Sequence, residues 1–438
     1  MIDPQFTTDA MRAVFAPAAR VQRVLDFEAA LARAEAAAAV IPAAAAATIA
    51  KHCDAREFDV DALAVASRAA GNLAIPLVNA LTRAVGDDAK GYVHWGATSQ
   101  DALDTGLVLQ LRDALALLDT DLDRLARALA AQATAHKTTP LAGRTWLQQA
   151  LPVTLGLKLA GTLSAVRRHQ VRVNALRSRL LVLQFGGASG TLASLGDKGT
   201  DVELALAAEL QLTVADVPWH TQRDRIDELA TTLGLVVATL GKLARDISLL
   251  AQTEVGEALE PAAPGRGGSS TLPHKRNPVG CAVALAAAVR VPNLVATMLV
   301  AAVQEHERGL GNWPAEWDTL PDIILLAAGA LATMADVVAG LEVDAARMRS
   351  NLELTQGQIL AEAVQMALAP ALGRDVAHTV MASACRRAVA EKRHLRDVLV
   401  ADAAVRGVLD EATIVRLLDP AHYLGASATF VERALAQR

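Results

Sequence analysis

Apolar residues recur at alternating steps of three and four along two long stretches of the chain. The first stretch is Leu111, Leu115, Leu118, Leu122, Leu125 and Leu129, and the second is Ile226, Leu229, Leu233, Val236, Leu240, Leu243, Ile247 and Leu250. This spacing places the side chains on one face of a helix, and a sustained repeat is typical of long helices packed at a shallow angle in a bundle. We therefore predict two long helices here.

Three further long helices are predicted from the same kind of periodicity. They run from Pro152 to about Leu180, from Pro278 to about His306 and from Leu320 to about Leu341. The alternation of apolar and polar residues that marks strands is almost absent, apart from short pieces such as 181–185. The predicted fold class is all-α.

The helix lengths divide the chain into three predicted helical domains. Residues 1–105 carry shorter helices and loops, residues 106–348 carry the long-helix bundle, and residues 349–438 form a smaller, more charged cap. The long helices are apolar on several sides, so one chain alone would leave apolar faces in water. We therefore expect an oligomer.

Composition excludes several classes of protein. Of 438 residues 53% are hydrophobic but only 3% aromatic, and the net charge of −5 argues against a nucleic-acid binder. No uncharged apolar run reaches the ~18–20 residues of a membrane span. Cys53, Cys281 and Cys385 are far apart with no CxxC, so we expect neither disulfides nor structural zinc. The first residues lack a signal-peptide pattern, and we expect a cytoplasmic protein.

The strongest candidate for chemistry is the segment 267–278, Gly-Gly-Ser-Ser-Thr-Leu-Pro-His-Lys-Arg-Asn-Pro. Glycines give the backbone freedom, Lys275 supplies a cation, and Asn277 can donate and accept hydrogen bonds. Ser269 would be able to transfer a proton if neighbouring donors stabilised its alkoxide. The spacing fits neither a P-loop nor a dinucleotide fingerprint. The alternative is a plain polar loop with Pro278 starting a helix.

Four other polar segments precede or follow the predicted long helices, and each has a simpler structural interpretation. In 94–101 Ser99 or Asp101 would cap a helix, although such a helix start also binds carboxylates. Polar residues of 143–150 and 219–225 would be solvated or surface-paired. In 305–308 His306 and Arg308 would complement a helix C-terminus. No HExxH or other metal-ligand spacing is present, so no metal is expected.

Taken together, these segments resemble the motifs of the fumarase/aspartase superfamily over nearly the whole chain. The segment from Gly268 matches its signature loop Gly-Ser-Ser-x-Met-Pro-x-Lys-x-Asn, with Leu272 in the Met position. The segment from His94 is similar to His-x-Gly-x-Thr-Ser-x-Asp. The segment from Thr145 is similar to Thr-His-x-Gln, with Trp146 in the His position. The resemblance implies a homotetramer with a multi-helix core, whose active sites are each shared between three subunits.

Departures from the adenylosuccinate lyase pattern favour another branch of the superfamily, the 3-carboxy-cis,cis-muconate cycloisomerases. Trp146 and Gly71 stand where adenylosuccinate lyases tend to place active-site histidines, and Gly309–Trp313 replaces a Ser-rich phosphate-binding stretch. An indole cannot accept a proton from carbon. The branch implies cofactor-free lactonisation of a small tricarboxylate in protocatechuate (β-ketoadipate) catabolism.

The resemblance also implies roles for individual residues. Ser269 is the proton-transfer residue, and Lys275 and Asn277 hold the carboxylate at which charge develops. The other expected substrate-binding residues are Thr98, Ser99, Arg144, Thr145, Gln148, Gln222 and Arg308. Further possible members of the site are His94, Trp146, Ser270 and His306.

Two alternatives differ in what they require. An adenylosuccinate-type lyase that releases fumarate would need basic residues and a phosphate pocket that this sequence has lost. A non-catalytic helical scaffold would gain nothing from retaining Ser269, Lys275 and Asn277 together.

Overall fold

The computed structural model of the chain describes residues 2–263, 265 and 267–437. These residues form eighteen α-helices and four short strands. The helices are α1 (Asp9–Val14), α2 (Pro17–Ala37), α3 (Ala43–Lys51), α4 (Val60–Ala70), α5 (Ala74–Ala84), α6 (Ser99–Ala135), α7 (Leu155–Leu180), α8 (Gly199–Leu210), α9 (Asp224–Leu250), α10 (Val279–Ala301), α11 (Asn312–Ala339), α12 (Ala345–Asn351), α13 (Ala361–Leu372), α14 (Arg374–Glu391), α15 (Leu395–Ala401), α16 (Ala403–Arg406), α17 (Glu411–Leu417) and α18 (Ser427–Ala436). The strands are β1 (Pro140–Thr145), β2 (Gln148–Thr154), β3 (Ala258–Leu259) and β4 (Glu342–Val343). The fold is thus mainly helical, as predicted.

The two leucine-rich repeats form long helices with buried apolar faces. Leu111–Leu129 lie in α6 and Ile226–Leu250 in α9, and the side chains of both repeats are buried. Close packing also depends on small residues: a Cβ added at Gly241 in α9 would lie 2.6 Å from the Cβ of Ala288 in α10. The scarcity of aromatic residues therefore reflects helices that approach closely through Gly and Ala.

The other three long helices exist, but their predicted bounds were wrong. α7 begins at Leu155 because Pro152 lies in β2, and α10 ends at Ala301 rather than near His306. α11 begins at Asn312, eight residues before the predicted start. The predicted strand at 181–185 is not formed, and Val182 makes only an isolated parallel bridge to Thr213.

A β-hairpin was missed by the sequence analysis. β1 and β2 pair antiparallel, with Thr145 opposite Gln148 and an irregularity between Ala142 and Arg144. β3 and β4 form a second short antiparallel pair. Both pairs belong to segments between helices, where short strands leave little periodicity to recognise.

The chain divides into two compact units, neither of which is continuous in sequence. The first comprises residues 2–123, 168–241 and 283–333, and the second comprises residues 124–167, 242–282 and 334–437. The first unit has an apolar core built largely from α2, α3, α5 and α8. The second has a core built from the helices between Leu352 and Leu418. The three predicted domains are a different division of the chain, and they remain a prediction.

Two of the described helices, α10 and α11, are long and apolar enough to span a membrane by length and composition alone. The most apolar window of α11 is 67% buried inside the chain, as expected for a core helix, whereas that of α10 is only 22% buried. α10 also carries Arg290 and Asn293 within its length. Val289 and Val300 on α10 are 70% and 72% exposed. The chain by itself therefore leaves an apolar helix largely uncovered.

Candidate active site

The segment 94–101 leads into α6, and Asp101 fixes it there. Its carboxylate accepts hydrogen bonds from the backbone N–H of Thr98 at 3.0 Å and from those of Gly186 and Gly187 at 3.0 and 2.9 Å. The Asp101–Thr98 bond is one half of a capping box, which satisfies a backbone donor at the helix start. Asp101 is fully buried, so it serves to hold two loops together rather than to meet solvent.

His220 completes the set of donors around Asp101. Its Nε2 lies 2.8 Å from Oδ1 of Asp101, and both side chains are buried. Gln184 donates to the same oxygen at 3.3 Å and accepts from the backbone N–H of Trp219 at 2.7 Å. The sequence analysis placed ligand contact in this segment at Gln222, which is exposed. His220 was missed, and its role here is to orient the 94–101 segment.

Arg223 is the centre of a second buried network. The guanidinium donates to both oxygens of Asp104 at 2.7 and 3.1 Å and to both oxygens of Glu316 at 2.6–3.1 Å. Trp313 Nε1 also donates to Asp104, at 3.2 Å. Burial acts to lower the pKa of Arg223, but the charges of the two carboxylates outweigh it and the net pKa is raised. This network ties the start of α9 to α6 and α11.

Gln100 connects these networks to Arg308. Its Nε2 donates to Asp104 at 3.0 Å and to the carbonyl of His220 at 2.7 Å. The amide orientation is therefore fixed, and Oε1 accepts from Nε of Arg308 at 3.0 Å. Nη2 of Arg308 is buried without a hydrogen-bond partner within the described part of the chain. A buried donor without a hydrogen-bond partner destabilises the fold, so Nη2 of Arg308 is a candidate group for binding an anion.

The remaining members of segment 305–308 lie in the loop after α10, not at a helix end as predicted. His306 is exposed with φ +46°, and its carbonyl accepts from the hydroxyl of Thr221 at 2.9 Å. His306 therefore has its backbone, rather than its imidazole, tied to the segment 219–225.

His94 is held by a residue distant in sequence. Its Nδ1 lies 2.6 Å from Oε1 of Glu28 in α2, and Glu28 is buried. His94 has φ +58° and Thr98 and Ser99 are half-buried, so the segment enters α6 through a tight turn. The sequence analysis gave no reason to connect Glu28 with this site.

In the second unit, the predicted site residues Thr145, Trp146 and Gln148 lie at the tip of the β1–β2 hairpin. Trp146 and Leu147 are the two turn residues, with φ +53° and +63°. Such left-handed conformations favour Gly and Asn, and they cost other residues roughly 1–2 kcal/mol each. Trp146 is nevertheless 98% exposed in the chain. Strained backbone of this kind is concentrated at functional sites.

Arg144, just before this turn, already has a carboxylate partner. Its guanidinium donates to both oxygens of Glu257, at 2.9 and 2.7 Å, and Glu257 is fully buried. Asn351 donates to Glu257 at 2.8 Å and its carbonyl accepts from Gln149 at 3.0 Å. This bidentate pair anchors the hairpin. Whether Arg144 also contacts substrate stays a prediction, since these bonds use only part of its five N–H donors.

The loop 267–278 places Ser269 among backbone donors. Its Oγ accepts from the N–H groups of Thr271 at 3.3 Å and Leu272 at 3.0 Å. Donors of this kind stabilise negative charge on an oxygen. Lys275 and Ser270 are exposed, and no partner for the Lys275 ammonium is found among the described residues. The roles of Ser269 and Lys275 in the reaction stay predictions.

The base of this loop is fixed at both ends. The N–H of Asn277 donates to the carbonyl of Gly267 at 2.7 Å, and a Cβ at Gly267 would lie 2.5 Å from the Asn277 carbonyl oxygen. Arg276 donates to Glu342 at 2.8 and 2.9 Å. Glu260 accepts from the N–H groups of 280 and 281, at the start of α10. These contacts hold the base of the loop and do not involve its central part. A cavity of about 200 Å³ lies beside its base, lined in part by Glu260, Arg276 and Asn277.

Within the described ranges, no group of three or more His, Cys, Asp or Glu side chains is arranged to hold a metal ion.

Comparison with known proteins identifies the family. Residues 4–293 match the family model described as Lyase, and residues 357–434 match that described as Adenylosuccinate lyase C-terminus. The chain belongs to the fumarase/aspartase superfamily. It is an enzyme of that superfamily, and its helical fold is the superfamily's fold.

Relatives of this superfamily are similar along nearly the whole chain. The 3-carboxy-cis,cis-muconate cycloisomerase of Pseudomonas aeruginosa is 60% identical, covering 100% of this chain and 96% of the relative. The crystal structure of the 3-carboxy-cis,cis-muconate lactonizing enzyme from Pseudomonas putida has a TM-score of 0.95 at 57% identity, covering 98% of this chain and 97% of that one. That of β-carboxy-cis,cis-muconate cycloisomerase from Acinetobacter calcoaceticus has a TM-score of 0.94 at 44% identity, covering 99% and 98%.

The residues that sequence reasoning missed are the partners that hold the predicted ones. Buried acids were the available signal: Glu28 lies in the apolar stretch of α2, and Asp104 and Glu316 lie in helices whose neighbouring residues are largely apolar. A charged residue in a predicted core requires a partner. Which partner it takes cannot be deduced from spacing along the chain.

Proposed function

We propose that this enzyme closes 3-carboxy-cis,cis-muconate to 4-carboxymuconolactone, an intramolecular lactonisation in protocatechuate (β-ketoadipate) catabolism. The observation that carries the proposal is the 60% identity, over the whole chain, with the cycloisomerase of Pseudomonas aeruginosa. The loss of the histidine at the Trp146 position supports the same branch. The substrate is a small tricarboxylate, and we expect the reaction to need no cofactor.

The chemistry follows from the substrate. A carboxylate oxygen forms a bond to one carbon of a conjugated double bond and closes a five-membered ring. The electron pair of that double bond moves to the neighbouring carbon, which is attached to a second carboxylate, and that carbon then receives a proton. Because nucleophile and electrophile are in one molecule, holding the curled conformer supplies much of the rate. The enzyme must also stabilise charge on the second carboxylate and deliver the proton.

We assign the proton transfer to Ser269, whose hydroxyl receives two backbone N–H donors. Lys275 and Asn277 would bind the carboxylate at which charge develops. Arg308 would bind another carboxylate through Nη2, since Gln100 holds its Nε and leaves Nη2 unpaired.

The other assignments extend the binding site. Thr98, Ser99 and Thr145 would bind a further carboxylate, and Gln148 and Gln222 would orient the substrate. Arg144 is better suited to position the hairpin through Glu257 than to contact substrate. Contributions from Trp146, Ser270 and His306 remain predictions.

We also propose that the enzyme is a cytoplasmic homotetramer with each active site shared between three subunits. The exposed apolar residues of α10 support association with further copies, since such a surface in water is unfavourable. The exposed, strained tip at Trp146 and Leu147 supports a contact with another subunit. Light scattering on the purified protein tests the number of subunits.

Ultraviolet absorbance of the purified protein with 3-carboxy-cis,cis-muconate tests the reaction. We expect loss of the conjugated-diene absorbance, equally fast with and without a chelator. Adenylosuccinate serves as the parallel substrate. Cleavage of adenylosuccinate with no change in the diene would reject the proposed function and move the enzyme to the lyase branch.

A further inference from the structure

Two buried glutamates on α2 are unused by the proposed chemistry. Glu28 is 1% exposed and Glu35 is fully buried, and both lie in the apolar core of the first unit. They differ in their partners. Glu28 makes a 2.6 Å hydrogen bond to Nδ1 of His94, whereas neither oxygen of Glu35 has a partner in the described structure.

The Glu28–His94 contact is that of a buried ion pair. Oε2 of Glu28 has no hydrogen-bond partner among the described residues, so a charge on Glu28 would be poorly compensated unless the imidazole beside it carries a positive charge. Burial acts to lower the pKa of His94, but the charge and hydrogen bond of Glu28, together with the charge of Asp101, raise it above the usual value. Glu28 on α2 and Asp101 on α6 are the charged groups that act on the ring, and His220 is the ionisable group paired with Asp101.

The pairing leaves one edge of the His94 ring available. Nδ1 is taken by Glu28, and no hydrogen bond to Nε2 is found in the described part of the chain. The side chain is 15% exposed, so the ring is not sealed in the core. His94 begins the same segment that carries Thr98 and Ser99, the residues proposed to bind a substrate carboxylate.

We propose that Glu28 is a positioning residue that holds His94 as an imidazolium, and that Nε2–H of His94 donates a charged hydrogen bond to a substrate carboxylate. The inference rests on the proposed function and adds a third cation for a substrate with three carboxylates. Arg308 and Lys275 supply the other two, because the charge of Arg144 is already paired with that of the buried Glu257.

The decisive variant is Glu28→Gln, which can keep a hydrogen bond to Nδ1 but removes the charge. The pKa of His94 should then fall, because burial remains and the charge that opposed it is gone. The high-pH limb of the kcat/KM profile should move down by at least one unit. At a pH between the pKa of His94 in the variant and that in the wild type we expect a loss of at least tenfold, mainly through KM, that recovers as the pH is lowered. Glu28→Asp keeps the charge and should restore much of the wild-type profile.

Glu35→Gln is the matched control, on the same helix and equally buried. Burial and the charge of Glu28 raise the pKa of Glu35 to about 9, so this substitution changes no charge at neutral pH. Below the pKa of Glu35 of about 9 its pH profile should equal that of the wild type. Circular dichroism and thermal unfolding report whether each variant is folded. A loss of kcat/KM in Glu28→Gln that does not depend on pH would mean that Glu28 has only a structural role, and would overturn the proposal. An equal shift of the high-pH limb in Glu35→Gln would overturn it as well.

A binding experiment separates this inference from the proposed function. Calorimetric titration with tricarballylate, a saturated tricarboxylate, requires no turnover. Wild-type affinity should weaken as pH rises through the pKa of His94, this weakening should begin at lower pH in Glu28→Gln, and it should be absent in His94→Gln. If tricarballylate binding shows this pH dependence but the protein does not convert 3-carboxy-cis,cis-muconate, the proposed function is rejected and the carboxylate contact of His94 stands. The same affinity and pH dependence in wild type and His94→Gln, or no binding to the wild type, would overturn the carboxylate contact.

Discussion

The buried networks around Asp101 and Arg223 and the exposed loops that carry Trp146 and Ser269 hold polar groups in opposite ways. In the networks, carboxylates accept hydrogen bonds from Arg223 and His220, which come from distant parts of the chain. In the loops, the hydroxyl of Ser269 accepts hydrogen bonds from residues two and three positions further along the chain. The side chains of Trp146 and Leu147 are exposed to solvent. Residues of the buried networks therefore stabilise the fold, whereas side chains of the exposed loops are free to contact a substrate or another subunit.

Removing the Ser269 hydroxyl should have the largest effect on activity. With Ser269→Ala we expect kcat to fall about 10³-fold, within the range for a positioned acid or base, while thermal stability and oligomeric state are unchanged. Steady-state kinetics and light scattering measure both. Ser350→Ala, which removes an exposed helical serine bonded only to the carbonyl of Arg347, is the control and should be fully active. Full activity in Ser269→Ala would remove the proton-transfer role from the loop.

Breaking the Arg223 network should affect stability most. Arg223→Met leaves Asp104 and Glu316 buried without their cation, and such a loss costs about 3–5 kcal/mol in the free energy of unfolding. Denaturant unfolding measures it. The control Arg179→Met breaks an exposed pair with Glu228 and should cost much less, because solvent screens the charges of such a pair. Equal costs in the two variants would contradict the distinction between buried networks and exposed groups.

Glu35 tests how much a buried acid lowers the free energy of unfolding when the described residues offer it no hydrogen-bond partner. Its pKa is raised to about 9 by burial and the charge of Glu28, against an ordinary value of 4.5 in the unfolded chain. Between these values the folded state binds more protons than the unfolded state, so the free energy of unfolding falls as pH rises, by up to about 1.4 kcal/mol per pH unit.

Glu35→Leu removes this contribution, so the variant should be more stable than the wild type at pH 8 and gain little at pH 4. Denaturant unfolding across that pH range measures the difference. The exposed Glu391→Leu should show no comparable pH-dependent gain. A stability difference between Glu35→Leu and the wild type that does not change with pH would show that Glu35 ionises normally in the folded protein.

The smallest expected effect concerns the hairpin turn. Replacing Trp146 and Leu147 by Asn and Gly relieves a cost of roughly 1–2 kcal/mol at each left-handed position, but it also removes the two side chains proposed to contact another subunit. These effects oppose each other, so the net change in the free energy of unfolding should be small. Denaturant unfolding of the double variant measures the change, and a clear gain in stability would contradict the proposed contact with another subunit.

The sequence by itself determined the long helices, because their period depends only on neighbours three and four positions apart. It also supplied Ser269, Lys275 and Asn277 as candidate site residues, since they lie in one short segment of the chain. The helix limits near Pro152 and His306 were wrong, because short strands and loops at helix ends leave no period to measure. The hairpin was missed for a related reason, since Trp and Leu are unusual turn residues.

The tertiary structure alone decided which polar residues are paired. Glu28 and His94 are 66 positions apart, Arg144 and Glu257 are 113 apart, and Arg223 and Asp104 are 119 apart. A buried charge in the sequence requires some partner, but any of many opposite charges would satisfy that requirement. The packing of the helices selects one, because Coulomb attraction and hydrogen bonding act over a few ångströms in space and are indifferent to distance along the chain.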